Sequence, residues 1–182
     1  MKRVKGFRTL FTAVALASAS LAVSGVAQAD EIQLGGFYSP AQIAGARLGY
    51  RFDALPLELP DWTGKPKIFF EGSLNSWYDH HRNGRTITAV AMSPVFQWQI
   101  SDEGDPVFIE AGIGATLIDG TRIRGRDLSS HYQFEDRIGI SWQYDPVSKA
   151  RLTLSYFHYS NADLQTPNDG LDFVALNWNY PL

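Results

Sequence analysis

The sequence predicts an all-β chain folded as an eight-stranded antiparallel outer-membrane β-barrel, and three observations carry that expectation. An export leader opens the chain, and eight segments alternate apolar and polar residues with period two. After residue 30 there is no uncharged apolar run of 18 residues that would make a spanning helix.

The leader comes first. Lys2, Arg3, Lys5 and Arg8 precede a small, apolar stretch from Thr9 to Val26, and Ala27-Gln28-Ala29 reads as a cleavage site. The expected organisation is therefore a signal peptide over 1–29 and one barrel domain over 30–182. Removing 29 of the 182 residues takes away four of the 16 Lys+Arg and none of the 19 Asp+Glu, which leaves 153 residues with a net charge of −7. That length holds one domain with a real core, and that charge argues against nucleic acid as a partner. The absence of cysteine excludes disulfides and thiolate metal sites.

The alternating segments run over 31–38, 42–52, 66–79, 85–100, 106–118, 130–144, 150–160 and 170–180. Turn-forming residues separate them: Ser39-Pro40, Asp53 to Lys65 with Pro56 and Pro60, Asn83-Gly84, Asp102 to Asp105, Asp119-Gly120, Asp145-Pro146 and Pro167 to Gly170. In the fourth segment the even positions are Thr86, Thr88, Val90, Met92, Pro94, Phe96, Trp98 and Ile100. In the sixth they are Tyr132, Phe134, Asp136, Ile138, Ile140, Trp142 and Tyr144. One face is thus apolar with aromatics near its ends, as lipid contact with interfacial girdles requires. The other face is expected to be polar and charged: Arg47, Arg51, Glu71, Asn75, Glu110, Glu135, Arg137 and Arg151 all fall on it. Eight strands leave no pore, so these four Arg and three Glu would pair inside the lumen. A soluble barrel with an apolar interior ligand is the reading of opposite sign, and membrane fractionation separates the two.

With both termini on the periplasmic side, the outer loops are 39–41, 80–84, 119–129 and 161–169. Two are basic, holding His80, His81 and Arg82 with Arg85 just beyond, and Arg122, Arg124 and Arg126. The periplasmic turns are acidic, with Asp53, Glu58, Asp61, Asp102, Glu103, Asp105 and Asp145. Guanidinium groups suit bidentate contact with lipopolysaccharide phosphates, so Arg122, Arg124 and Arg126 are candidate lipid A phosphate contacts; solvated loop charge is the bland alternative.

The candidate chemistry lies in the seventh and eighth segments. His158 and Ser160 share the lipid-facing parity with Leu152, Leu154 and Tyr156, and positions i and i+2 on a strand lie roughly 6.6 Å apart. Asp172 opens the next strand on the same outward face, across one hairpin loop and near the height of His158. Ser160, His158 and Asp172 therefore form a candidate nucleophile, base and orienting acid. Asp136 falls on the same face near the same rim. Polar residues at these positions break an apolar pattern that a purely structural barrel gains nothing by breaking.

The motif His158-Tyr-Ser160-Asn161-Ala162, followed by Gln165-Thr-Pro167-Asn168-Asp169-Gly170, resembles the active-site motif of the lipid A 3-O-deacylase (PagL) family. Two upstream blocks resemble the family as well: Pro106 to Gly114 with Gly120-Thr-Arg122, and Phe134 to Gly139. The resemblance covers about the C-terminal half. It implies an eight-stranded outer-membrane barrel whose lipid-facing site hydrolyses the ester-linked 3-O-acyl chain of lipid A, with Ser160 as nucleophile and His158 as base. It also implies supporting or oxyanion roles for Asn161, Asn168 and Asp136. The chain departs from the family at its third member, where the usual Glu is Asp172, a carboxylate one methylene shorter.

On this reading the protein is a serine esterase that needs no cofactor and no metal, and its partner is lipopolysaccharide of the outer leaflet. The outward rows bearing Trp98, Trp142 and Trp178 would meet lipid or a second copy, so a monomer and a homodimer both fit. The alternative is a non-catalytic small outer-membrane barrel with a structural or lipopolysaccharide-binding role.

Overall fold

A computed structural model describes residues 30–53, 59–81, 84–102 and 104–182. The expected leader over 1–29, Pro56 and Glu58, Arg82 and Asn83, and Glu103 lie outside the described residues. The strands are β1 (Glu31–Ser39), β2 (Ile43–Asp53), β3 (Lys67–Asp79), β4 (Thr86–Gln99) and β5 (Val107–Ile118). They continue as β6 (Arg122–Ile123), β7 (Arg126–Asp127), β8 (Tyr132–Gln143), β9 (Arg151–Ser160) and β10 (Leu171–Pro181). Eight of them close a barrel in the order β1-β10-β9-β8-β5-β4-β3-β2, every neighbouring pair antiparallel. The pairing of Glu31 with Pro181 puts both termini at one end, and the loops after β1, β3, β5 and β9 gather at the other.

The alternation sorts outward from inward side chains as the pattern predicts. Leu34, Leu48, Leu74, Val90, Ile113, Ile138, Leu154 and Leu176 are exposed on the outside. A chain that leaves so many large apolar groups uncovered in a continuous band is built for a hydrocarbon surround. Among the described residues no helix is long and apolar enough to cross a membrane; crossing is by strands.

Inside, the polar parity becomes an ion network. Arg51 donates from Nε to Glu71 at 2.6 Å and from both Nη atoms to Glu110 at 3.0 and 2.7 Å. Arg137 donates to both oxygens of Glu71 at 2.7 and 3.2 Å. Arg47 bridges Glu71 and Glu135, and Tyr159 and Ser93 each donate to Glu135 at 2.8 Å. Arg151 pairs with Glu31, a residue missing from the expected set. With Glu31 counted, four Arg face four Glu in this network among the described residues. That balance offsets the large cost of taking eight charges out of water.

The expectation of a wholly polar lumen is corrected toward the outer mouth. There Phe37, Ile43, Trp77, Ile87, Phe157, Tyr159, Leu171 and Phe173 form a buried apolar plug. Phe37 meets Phe157 edge-on at 5.3 Å between centroids, and Trp77 stacks near Phe173 at 5.3 Å. Ile123 and Leu128, from the long loop after β5, are buried over it as a lid. The inward rows of β4, β9 and β10 carry no charge at this level, and Asp79, at the end of β3, is the buried carboxylate beside the plug.

Candidate active site

The site lies where β8, β9 and β10 reach the outer rim. Strand register puts Asp172 of β10 directly across from His158 of β9, and Asp136 of β8 across from it on the other side. His158 thus has a carboxylate residue on each neighbouring strand. It engages one of them, with Nδ1 and Oδ1 of Asp172 2.8 Å apart. His158 and Asp172 are both more than a third exposed, so the pair opens to the barrel's outer wall and not to the lumen. Ser160 follows two residues on, half-buried on the same outward parity and paired with Phe134. Among the described residues neither His158 Nε2 nor Ser160 Oγ has a hydrogen-bond partner, so the free imidazole nitrogen and the hydroxyl both remain available.

The loop between Ser160 and Asp172 sets these positions. Asn161 is buried, and its side-chain amide donates to the carbonyls of Leu128 at 2.9 Å and Gln165 at 3.0 Å. Its backbone N–H donates to Oδ1 of Asn168 at 3.2 Å, and Asn168 in turn donates to Asp163 at 3.1 Å. Asn161 and Asn168 thereby tie the loop to itself and to the lid segment. With both N–H groups of Asn161 committed to carbonyls, its geometry is that of a support. Gly170 ends the loop at φ +60°, in the left-handed region; a Cβ there would lie 3.1 Å from Cε1 of His158 and 3.3 Å from the carbonyl oxygen of Tyr159.

The arginine candidates sit on the β6–β7 hairpin, a feature too short to register as a period in the sequence. Arg122 donates to Asp127 through Nε at 2.7 Å, Arg124 to Gln42 at 2.7 Å, and Arg126 to the carbonyl of Asp169 at 2.7 Å. The hydrogen bond from Arg122, with a further one from the Ser129 N–H, holds the Asp127 carboxyl below its ordinary value. Asp127 and Asp169 exchange two further bonds, Asp127 N–H to Oδ2 of Asp169 at 2.7 Å and Asp169 N–H to Asp127 O at 3.1 Å. The hairpin is thus clasped to the loop that carries the site. All three arginines, with Arg85, line a cavity of about 680 Å³ between the hairpin and the ends of β3 and β4, where Asp79 and Asp127 leave an excess of positive charge.

One residue of the site escapes the sequence reading. Tyr156, on the outward parity two positions before His158, donates its hydroxyl to Oδ1 of Asp172 at 2.6 Å. The signal for it was its shared face with His158, since an aromatic side chain spans the diagonal to the next strand.

A family model described as lipid A 3-O-deacylase (PagL) matches residues 44–181. The lipid A deacylase PagL of Bordetella bronchiseptica is 36% identical over 104 residues, covering 57% of this chain and 56% of that protein. The chain's match thus spans just over half the length of that relative. The lipid A deacylase PagL of Pseudomonas aeruginosa is 31% identical over 120 residues, covering 66% of this chain and 68% of that protein. Among solved structures, the crystal structure of the outer membrane enzyme PagL superposes with a TM-score of 0.70 at 26% identity, over 84% of this chain and 99% of that one. A de novo designed transmembrane β-barrel superposes with a TM-score of 0.51 at 11% identity, a likeness of fold alone.

Proposed function

The chain belongs to the lipid A 3-O-deacylase (PagL) family, and from that premise we propose that it is an outer-membrane serine esterase that removes the 3-O-acyl chain of lipid A. On this reading residues 1–29 direct export and 30–182 form the barrel. The observation that carries the reading is the polar notch in the lipid-facing wall, where the His158–Asp172 contact at 2.8 Å stands two residues from Ser160.

Asp172 accepts a hydrogen bond from Nδ1 of His158, which fixes the tautomer that leaves Nε2 as a base. As Ser160 Oγ attacks the acyl carbonyl, its proton passes to Nε2. The tetrahedral oxyanion is received by main-chain N–H groups beyond Asn161 in the loop after Ser160, with Asn161 and Asn168 holding that loop in place. Collapse breaks the bond to the sugar oxygen, which takes the proton from His158, and the acyl chain stays on Ser160. Water, deprotonated in turn by His158, adds to the acyl carbonyl; collapse breaks the bond to Ser160 Oγ, which takes the proton back from His158, and the fatty acid leaves. Asp136 adds negative charge beside the imidazolium that forms in each half-reaction.

Placement supports this substrate. The acyl chains lie along outward rows such as Leu152, Leu154, Val174 and Leu176, all exposed on the wall below the notch. Above it, Arg122, Arg124 and Arg126 meet the lipid A phosphates with the N–H groups left over from their protein contacts. The ester, between sugar and chain, then falls at the height of Ser160.

A fluorophosphonate probe tests the assignment on the purified barrel. It is expected to label Ser160 in the wild type, to label His158→Ala far more slowly, and to leave Ser160→Ala unmodified. Labelling of Ser160→Ala at the wild-type rate overturns the nucleophile.

A further inference from the structure

We propose that Tyr156 is a positioning residue for the reaction: its hydroxyl locks the carboxylate of Asp172 in the orientation that holds His158. This rests on the serine-esterase reading above.

Oδ1 of Asp172 accepts two hydrogen bonds, from the Tyr156 hydroxyl at 2.6 Å and from Nδ1 of His158 at 2.8 Å. The two donors come from successive outward positions of one strand. His158 faces Asp172 directly across the ladder, whereas Tyr156 is paired with Val174 and reaches Asp172 along the diagonal. Two donors on one oxygen, one from directly across the ladder and one from the diagonal, restrict the Asp side chain more than either donor alone. An exposed carboxylate on a lipid-facing wall otherwise has water and headgroups to turn toward, since Asp172 is 39% exposed.

The bland role for an outward tyrosine near the rim is membership of the interfacial girdle, with its hydroxyl in the headgroup layer. Tyr38 occupies that kind of position at the same level, paired with Val174 from the other side. Tyr156 differs in spending its hydroxyl on the site. Its ring also sits between the aliphatic row below and the imidazole above, at the boundary where acyl chain gives way to ester.

Steady-state deacylation of lipid A in detergent micelles tests the proposal on wild type, Tyr156→Phe, Asp172→Glu and the double variant, with Tyr38→Phe and Ser160→Ala alongside. Phe keeps the ring, and circular dichroism with urea unfolding checks that each barrel is intact. Removing one hydroxyl that bonds to a charged group is expected to lower kcat about tenfold with KM within about twofold, while Tyr38→Phe matches wild type. In the Asp172→Glu background, where the longer side chain carries the carboxylate outward past the hydroxyl, the same change is expected to cost less than about twofold. An equal loss in both backgrounds assigns Tyr156 a packing role and overturns the proposal, as does a loss confined to KM or no loss at all. If Ser160→Ala retains turnover, the underlying reading falls with it. If Ser160→Ala is inactive and Tyr156→Phe is normal, only the positioning role falls.

Discussion

Gly170→Ala separates backbone strain from damage to the site. Gly170 has φ +60°, so any L side chain there costs about 1–2 kcal/mol of stability. The added Cβ would also stand 3.1 Å from Cε1 of His158 and 3.3 Å from the Tyr159 carbonyl oxygen. Ordinary contact needs a few tenths of an ångström more. The carbonyl belongs to the barrel ladder and does not yield, so the imidazole must move, and the 2.8 Å contact with Asp172 stretches. Displacement of a base by a fraction of an ångström is expected to lower kcat/KM by about ten- to a hundredfold. Gly64→Ala is the matched control: φ is +74° and a Cβ would lie 3.3 Å from Cδ1 of Trp98, but at the end of the barrel that holds both termini. Both variants should lose similar stability in urea unfolding followed by tryptophan fluorescence. Only Gly170→Ala should lose deacylation of micellar lipid A. Equal activity in the two would refute the claim that this glycine exists to make room for the histidine.

Glu71→Gln removes the charge that Arg47, Arg51 and Arg137 share inside the lumen network; about 3–5 kcal/mol of destabilisation is expected in urea titration, with kcat per folded barrel unchanged. Asn161→Ala frees the loop from the carbonyls of Leu128 and Gln165; the loop should become sensitive to protease and deacylation should fall, while the barrel's unfolding midpoint holds. Asp127, depressed by Arg122, should titrate below its ordinary 3.8 in an NMR pH series. The Arg122–Asp127 pair is therefore fully formed above 3.8 and is lost only as pH falls through the lowered value, so it imposes no pH dependence on turnover near neutrality. Replacing Arg122, Arg124 and Arg126 together by Ala should raise KM for bisphosphorylated lipid A and leave KM for its dephosphorylated form unchanged.

The strands were legible because a membrane barrel writes its two faces into alternate residues. The expected segment 85–100 became Thr86–Gln99 and 130–144 became Tyr132–Gln143. The pairing of Asp172 with His158 was legible too, because one hairpin loop fixes the register of β9 against β10. What was missed depends on contacts with no period. Glu31, the network's fourth acid, sits at the very start of the first strand, where alternation has barely begun. The β6–β7 hairpin is two residues per strand, and its clasp to Asp169 joins loops 42 residues apart in sequence. The apolar plug under the outer mouth went unseen because Ile87, Phe157 and Tyr159 occupy the parity that carries charge lower in the barrel. Tyr156 looked like one more lipid-facing aromatic until its hydroxyl was located on Asp172.

The most direct measurement is mass spectrometry of lipid A from Gram-negative cells expressing wild type, Ser160→Ala or Asp172→Glu, with each protein confirmed folded in the outer membrane. A lipid-facing serine esterase predicts loss of one 3-hydroxyacyl group with wild type and Asp172→Glu, and intact lipid A with Ser160→Ala. Unchanged lipid A from the folded wild type, or equal deacylation by Ser160→Ala, would contradict it.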